Sequence, residues 1–285
     1  MTSAGRGPVS AGAATVRDDL GDEVPVPRRP RRLVSLVPST SELLAHLGLA
    51  DDLVAVTEYC TSPRGAFTHA ERVRGTKNPD TRAIVGLAPD LVIANEEENR
   101  PLDVRRLRDA GVPVYVTRVR TVADVAASVA ALTDVLDRRE AGTEIAAEIH
   151  RALATGPSAR VTAECAVWRD GPGRGEDETW WLVGGDTYAG DLLRTCGLLP
   201  ALRSSDERYP RVPLDTLAAA DPDVVLLPDE PYAFGDDDVA VFEGWRSQAR
   251  RVDGGELFWW GHRTPAAIRS LGALAEDVAA GLADG

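Results

Sequence analysis

The chain has 285 residues, 44% of them hydrophobic and 27% charged, and carries a formal net charge of −13. That length supports one large core or two ordinary ones, and the acidic balance excludes a nucleic-acid partner, whose phosphates require a basic surface. Cys60, Cys165 and Cys196 are scattered and form no Cys-x-x-Cys pair, so neither a disulfide framework nor a structural zinc site is expected.

Residues 1–14, rich in Ser, Gly and Ala, read as a disordered tail without the apolar core of a secretory signal. No apolar stretch approaches the roughly 18 residues that span a membrane. The sequence as written thus predicts a cytoplasmic protein, or an extracytoplasmic one if the start differs or the chain has been trimmed. A small hairpin is expected over 16–24, then a strand over 33–37. It runs into Pro38-Ser39-Thr40-Ser41-Glu42, where Ser39 and Glu42 have capping-box spacing and open a helix to Gly48. The free N–H groups of that helix start either satisfy a local cap or hold an anionic part of a ligand. A strand over 53–56 delivers Glu58, Tyr59 and Cys60 to the same edge. A helical piece around Ile84 and Leu87, a strand from Leu91, a helix over 103–110 and a strand over 114–117 complete a parallel alternation.

Val122, Val125, Val129, Leu132 and Leu136 recur at helical spacing, and a second helix is expected over 139–154. Beyond them come a strand over 161–167, a charged Gly-rich turn over 169–178, and a strand Trp180-Trp181-Leu182-Val183 in which one tryptophan belongs to the core. Gly184-Gly185-Asp186-Thr187-Tyr188 forms a strand-to-helix crossing. A last strand is expected over 256–260, then a helix with Thr264 as N-cap and Pro265 at its first position, running to about Leu282.

Two stretches echo each other at domain-scale separation: Pro89-Asp90-Leu91-Val92-Ile93-Ala94-Asn95-Glu96-Glu97 and Pro222-Asp223-Val224-Val225-Leu226-Leu227-Pro228-Asp229-Glu230. Each is a Pro-Asp turn, an unbroken apolar run and an acidic loop, the pattern of a strand buried on both faces. Ligands of open α/β sheets bind beyond the carboxyl ends of the strands, so the two acidic loops are expected to face each other across a cleft.

With Arg32-Leu33-Val34-Ser35-Leu36-Val37-Pro38-Ser39-Thr40-Ser41-Glu42 and the Gly184 crossing, these repeats occur in an order that resembles the helical-backbone class of ABC-importer substrate-binding proteins. That class serves cobalamin, haem and iron-siderophores. The resemblance implies an α/β fold of two Rossmann-like lobes joined by a long rigid backbone helix, with the ligand cleft between the lobes. The expected division is a tail (1–14), an N-terminal lobe (15–120), connecting helices (121–155) and a C-terminal lobe (156–285). It further implies a non-enzymatic monomer whose ligand is cobalamin, an iron chelate, haem or a metal ion, without a catalytic cofactor, and whose partner is an ABC permease.

By position in that fold, the ligand-binding residues are Glu58, Tyr59, Cys60, Asn95, Glu96, Trp168, Thr187, Tyr188, Glu230, Tyr232, Trp259, Trp260, His262 and Arg263. Two departures stand out. The permease-docking positions, acidic in transporter-linked relatives, are Arg82 and Asp215, so the first reverses its charge. The position after Val92-Ile93-Ala94, aromatic in cobalamin binders, is Asn95.

The carboxylates Glu58, Glu96, Glu97, Glu98, Asp229 and Glu230 suit a cation or the cationic part of a chelate, with Cys60 and His262 as softer donors; equally, they are what a solvated acidic surface looks like. His46, His69 and His150 receive no role. Two other readings stay open: a cytoplasmic metal or cofactor sensor or chaperone with no permease, and an enzyme in which His262 activates Cys60.

Overall fold

The computed structural model describes residues 13–170, 178–202 and 207–283. Residues 1–12 of the expected tail and 171–177 of the charged turn lie outside the described residues. The chain forms two compact units, one running up to Arg118 and including Ala126–Ala146, the other comprising Val119–Val125 and everything from Ala147.

The first unit opens with the expected hairpin, β1 (Ala13–Arg17) antiparallel to β2 (Glu23–Pro27); Ala13 and Ala14, assigned to the tail by sequence, belong to its first strand. Polar anchors hold its turn. The enclosed Asp18 carboxylate meets Arg108 at 2.7 Å, and Asp19 accepts from Tyr115 Oη at 3.0 Å and Ser128 Oγ at 2.6 Å. The chain continues through β3 (Leu33–Ser35), α1 (Pro38–His46), β4 (Leu53–Val56), β5 (Glu71–Arg72), α2 (Thr81–Gly86), β6 (Leu91–Asn95), α3 (Pro101–Asp109) and β7 (Val114–Thr117). All five strands of the sheet are parallel, in the order β5-β4-β3-β6-β7. Every residue of β6 and β7 is buried, which is why both read as unbroken apolar runs.

The capping box at Ser39 and Glu42 does not form. Helix α1 starts at Pro38, with Val37 as its N-cap and no side-chain cap. Proline at the first position needs no partner for an absent N–H, and Glu42 instead accepts from Ser62 Oγ at 2.6 Å. The helical stretch that follows β7 comes as α4 (Val122–Val135) and α5 (Arg139–Ala154). These are the two helices expected from the spacing, parted at Asp137, whose φ is +58°. Gly142 lets the break close up: a Cβ there would lie 1.9 Å from Thr133 Oγ1.

The second unit is built from β8 (Val161–Asp170), β9 (Thr179–Leu182), α6 (Tyr188–Thr195), β10 (Leu198–Pro200), β11 (Arg211–Pro213), α7 (Leu214–Ala220), β12 (Val224–Pro228), α8 (Asp236–Val239), β13 (Gln248–Val252), α9 (Gly254–Phe258) and α10 (Thr264–Ala283). Its sheet is mixed, in the order β11-β9-β8-β12-β13, with β10 also paired to β8. Strands β8, β10, β12 and β13 are parallel, while β9 runs antiparallel to both β8 and the edge strand β11. Trp180 is the fully buried member of the tryptophan pair.

The strand expected over 256–260 is a short helix. Asp253 caps α9 by accepting from Glu256 N at 3.2 Å, and Gly254 packs so tightly on Glu230 that a Cβ would sit 2.5 Å from its Cγ. The strand paired with β12 is instead β13. Its exposed Arg250 and Arg251 conceal it from an apolar-run reading, as befits an edge strand.

The two Pro-Asp repeats form the same device in both units. Ala88 and Asp221, each just before the proline, are left-handed with φ of +46° and +42°, a conformation that costs an L-residue roughly 1–2 kcal/mol. An arginine clamps each turn: Arg32 Nη2 donates to Leu87 O at 2.7 Å, and Arg246 Nη2 donates to Asp221 O at 2.7 Å. The aspartates then reach across to the adjoining first strand of each sheet. Asp90 Oδ2 accepts from Arg31 N at 2.8 Å and Arg32 N at 3.0 Å. Asp223 Oδ2 accepts from Thr162 N at 2.7 Å and Thr162 Oγ1 at 2.8 Å. Each aspartate thereby sets the register of the central strand pair, β3 with β6 and β8 with β12.

Two predictions follow from these carboxylates. Burial pushes the Asp223 carboxyl up, but the Thr162 and Arg246 hydrogen bonds outweigh it and hold the pKa below the usual range. Its stabilisation is therefore present at neutral pH and lost as pH falls through that lowered value. Asp223→Ala costs about 1–3 kcal/mol at neutral pH, read from urea midpoints, and the deficit shrinks in acid. Glu164, buried in β8, behaves oppositely. Burial lifts its pKa to about 7, although Leu202 N donates to it at 2.7 Å. A raised folded-state pKa gives stability that is full below the unfolded value of about 4.3 and is lost as pH rises through 7. Glu164→Gln is expected to match the wild type near pH 4 and to exceed it by roughly 2–3 kcal/mol near pH 8.

Candidate functional site

In each sheet the strand order reverses beside the first strand, so the crevice lies between β3 and β6 in one unit and between β8 and β12 in the other. The loops that follow these strands carry the candidate residues.

In the first unit, Arg72 Nη1 pins the loop after β4 by donating to Thr57 O at 2.8 Å and Cys60 O at 2.9 Å. That pinning leaves Glu58 exposed and Tyr59 62% exposed. Gly75 accommodates the tyrosine, since a Cβ there would lie 3.0 Å from its ring. Cys60 turns inward and is fully buried, its thiol 3.0 Å from Ser41 Oγ and 3.1 Å from Thr57 Oγ1. Burial pushes that thiol up, against the hydrogen bonds and Arg72 that pull it down. A nucleophilic cysteine needs the reverse.

Asn95, at the end of β6, is buried and committed to the backbone and side chains around it. Its Oδ1 accepts from Glu97 N at 2.9 Å and Glu98 N at 3.2 Å, and its Nδ2 donates to Thr117 Oγ1 at 3.2 Å. Asn99, missed as an individual residue by sequence reasoning, does as much. Its Oδ1 accepts from Asn95 N at 2.8 Å, and its Nδ2 donates to Thr76 O at 2.8 Å and Leu36 O at 3.3 Å. Together the two asparagines shape the loop that holds Glu96, Glu97 and Glu98 half-buried. Burial raises the Glu98 carboxyl, and Lys77 pulls it back. Asn-x-x-x-Asn is the signal that points to this pairing.

In the second unit, Trp168 lies within the last turns of β8 and is 48% exposed. Its ring meets Tyr232 edge-on at 5.1 Å. Tyr232 leans on Phe234 at 4.6 Å, Phe234 stacks on the buried Trp180 at 5.6 Å, and Phe242 meets Trp180 edge-on at 5.4 Å. The exposed indole is thus the outer end of an aromatic row rooted in the core. Thr187 and Tyr188 are buried. Thr187 caps α6, accepting from Gly190 N at 3.1 Å, and Tyr188 Oη lies 2.9 Å from Thr264 Oγ1. Trp260 is buried as well, whereas Trp259, His262 and Arg263 are partly exposed. The Arg263 guanidinium stands 5.0 Å over the Trp259 ring.

Glu230, just beyond β12, is the most perturbed of the loop carboxylates. Burial, then the neighbouring charges of Asp229 and Asp253, lift its pKa to about 7, against Arg263 and a hydrogen bond with the Trp259 side chain. Its Oε1 is enclosed and meets no hydrogen-bond partner among the described residues. Across the described residues no three His, Cys, Asp or Glu side chains converge as metal ligands. Arg82 on α2 and Asp215 on α7 are both exposed, each on the helix before its repeat strand.

Known proteins resemble this chain in sequence and in fold. The vitamin B12-binding protein of Vibrio cholerae serotype O1 is 25% identical over 255 residues, 85% of this chain and 86% of its own. An uncharacterized ABC transporter substrate-binding lipoprotein of Bacillus subtilis is 35% identical over 102 residues, 35% of this chain and 32% of its own. Among solved structures, the periplasmic vitamin B12-binding protein of Vibrio cholerae superposes with a TM-score of 0.72 at 22% identity, covering 87% of this chain and 98% of that one. The periplasmic haem-binding protein of Roseiflexus sp. RS-1 does so with 0.71 at 21%, covering 87% and 99%. At such identities the superpositions establish the fold alone. The profile of the periplasmic binding proteins matches residues 33–249, and the chain belongs to that family.

Proposed function

We propose that this protein is the ligand-capturing component of an ABC importer for a metal-containing macrocycle, with cobalamin and haem as the leading classes. The observation that carries this reading is the aromatic row ending in Trp168 and Tyr232 at the carboxyl end of the second sheet. An exposed indole braced from behind offers a flat apolar face at little entropic cost, which suits a planar macrocycle better than a bare ion. Family membership and relatives named for vitamin B12 and haem support the same class.

Within this reading the candidate residues divide by position. Glu58, Tyr59, Glu96, Trp168, Glu230, Tyr232, Trp259, His262 and Arg263 touch the ligand. Cys60, Asn95, Thr187, Tyr188 and Trp260 hold the loops that carry them. The reading is of a binder and not of a Cys60-dependent enzyme, since Cys60 is buried and its thiol raised. Its place of work is outside the cytoplasm, as for relatives named periplasmic or as a lipoprotein. The cytoplasmic sensor loses its motive with that comparison.

Arg82 and Asp215 are where a permease docks, and the reversed sign at Arg82 calls for an acidic partner residue there. Arg82→Glu is expected to lower ligand-dependent stimulation of the cognate transporter's ATPase in reconstituted membranes, with ligand affinity unchanged.

Titration of the ligand-free protein with cyanocobalamin, haemin and a ferric siderophore, followed by tryptophan fluorescence, tests the central reading. At least one macrocycle is expected to bind at micromolar concentration or below and to be recovered unchanged. Trp168→Ala is expected to weaken that binding about tenfold, on the order of 1–2 kcal/mol. Millimolar or absent binding for all three rejects it.

A further inference from the structure

Trp168 and Tyr232 come from separate elements, the end of β8 and the loop after β12, and something must hold the two rings to each other. The inference rests on the receptor reading above. We propose that Arg169 and Asp238 are positioning residues for the ligand: they form a buried clasp between β8 and α8 that presents Trp168 and Tyr232 as one preformed stacking face, without touching the macrocycle themselves.

The clasp begins with a register shift. Ala166 pairs with Leu182 and Trp168 with Trp181, which leaves Val167 as an extra residue in β8. Residues two apart on a strand share a face, so an unshifted strand would place Trp168 beside the buried Ala166. The shift, a bulge of the kind that re-aims side chains next to binding sites, instead sets Arg169 opposite Trp180. Its guanidinium stands 5.2 Å over that buried indole, and Trp168 is left 48% exposed.

Two carboxylates meet Arg169 there. Its Nε lies 2.9 Å from Glu178 Oε1 and its Nη1 pairs with Asp238 Oδ1, and the side chains of Arg169, Glu178 and Asp238 are only 9%, 4% and 10% exposed. The second oxygen of Asp238 accepts from Gly235 N at 2.8 Å. Gly235 directly follows Phe234, on which Tyr232 leans. An unbroken path therefore runs from the chain neighbour of Trp168, through a planar guanidinium and a carboxylate that uses both oxygens, to the segment that carries Tyr232. A buried ion triad adds little net stability, because desolvation offsets the attraction; what this one supplies is fixed geometry. Rings held in the bound arrangement before the ligand arrives lose less freedom on binding, which raises affinity.

The two carboxylates separate this role from simple support of the fold. Both pair with Arg169 out of contact with water, but Asp238 reaches the Tyr232 segment, whereas Glu178 turns to the core and accepts from Trp180 Nε1 at 3.0 Å. Asp238→Asn leaves Arg169 and Glu178 balanced in charge and keeps an oxygen for Gly235 N, so it loosens the clasp without stranding a buried charge. Glu178→Gln removes a carboxylate from the same arginine and leaves the tie to α8 in place.

Fluorotryptophan-labelled protein, with the Trp168 fluorine resonance assigned by its loss in Trp168→Phe, reports the surroundings of that ring in the absence of ligand. Dissociation constants for cyanocobalamin and haemin report the consequence for binding, and thermal unfolding checks that each variant is folded. Asp238→Asn is expected to move the Trp168 resonance toward that of free fluorotryptophan and to weaken macrocycle binding about three- to tenfold. Glu178→Gln is expected to lower thermal stability while leaving both the resonance and the affinity unchanged. A Trp168 resonance that stays in place in Asp238→Asn, an affinity that survives its displacement, or equal effects of the two substitutions overturns the positioning role and leaves the receptor reading standing. Binding of neither macrocycle by wild type overturns both.

Discussion

A parallel strand buried on both faces has no solvent-facing side to report its register, so something at its end must set it. Here that is one aspartate per unit. Asp90 and Asp223 enter on a left-handed residue and a proline, are clamped by Arg32 and Arg246, and accept hydrogen bonds from the start of the neighbouring first strand. Fixing β6 against β3 and β12 against β8 fixes where those strands end. The ends decide where the loops of the candidate site begin. An unfavourable backbone conformation at Ala88 and Asp221 is tolerated because several hydrogen bonds determine the turn around it.

From those strand ends the two units use different means to hold the candidate loops. The first relies on amide chemistry: Asn95 and Asn99 tie the acidic loop to β7 and to the loops after β3 and β5. The second relies on rings, from Phe242 through Trp180, Phe234 and Tyr232 to Trp168. Both keep carboxylates near the surface at a cost in desolvation, visible in the raised pKa of Glu98 and Glu230. Groups held in an unfavourable state by a rigid surround are ordinary features of binding sites.

The fold was legible in the sequence where burial is complete. Strands such as Val114–Thr117 and Leu91–Asn95 are buried throughout and apolar up to a polar last residue, and the repeated Pro-Asp signal marks the same turn twice. It was illegible where an element is exposed or short. Gln248–Val252 carries arginines on an edge, and the apolar residues after Gly254 and Gly255 looked like a strand although Asp253 caps a helix there. Position along the fold picked out candidate loops but not side-chain direction. Tyr59 points out and Cys60 in, though adjacent, because Arg72, far along the chain, pins the carbonyls on either side of that turn. Tyr188 likewise looked like a ligand aromatic, and its hydroxyl is taken by Thr264 in a helix that sequence proximity does not reveal. Such pairings depend on three-dimensional neighbours and leave no periodic trace.

The most direct test of the account is the absorption spectrum, with native mass, of the protein purified from its own cells without added ligand. The account predicts one bound macrocycle per chain, a corrinoid or a haem, with its visible bands and its mass, and a lower occupancy when Trp168 is replaced by alanine. A colourless protein of apo mass from cells that contain both corrinoids and haem would contradict it.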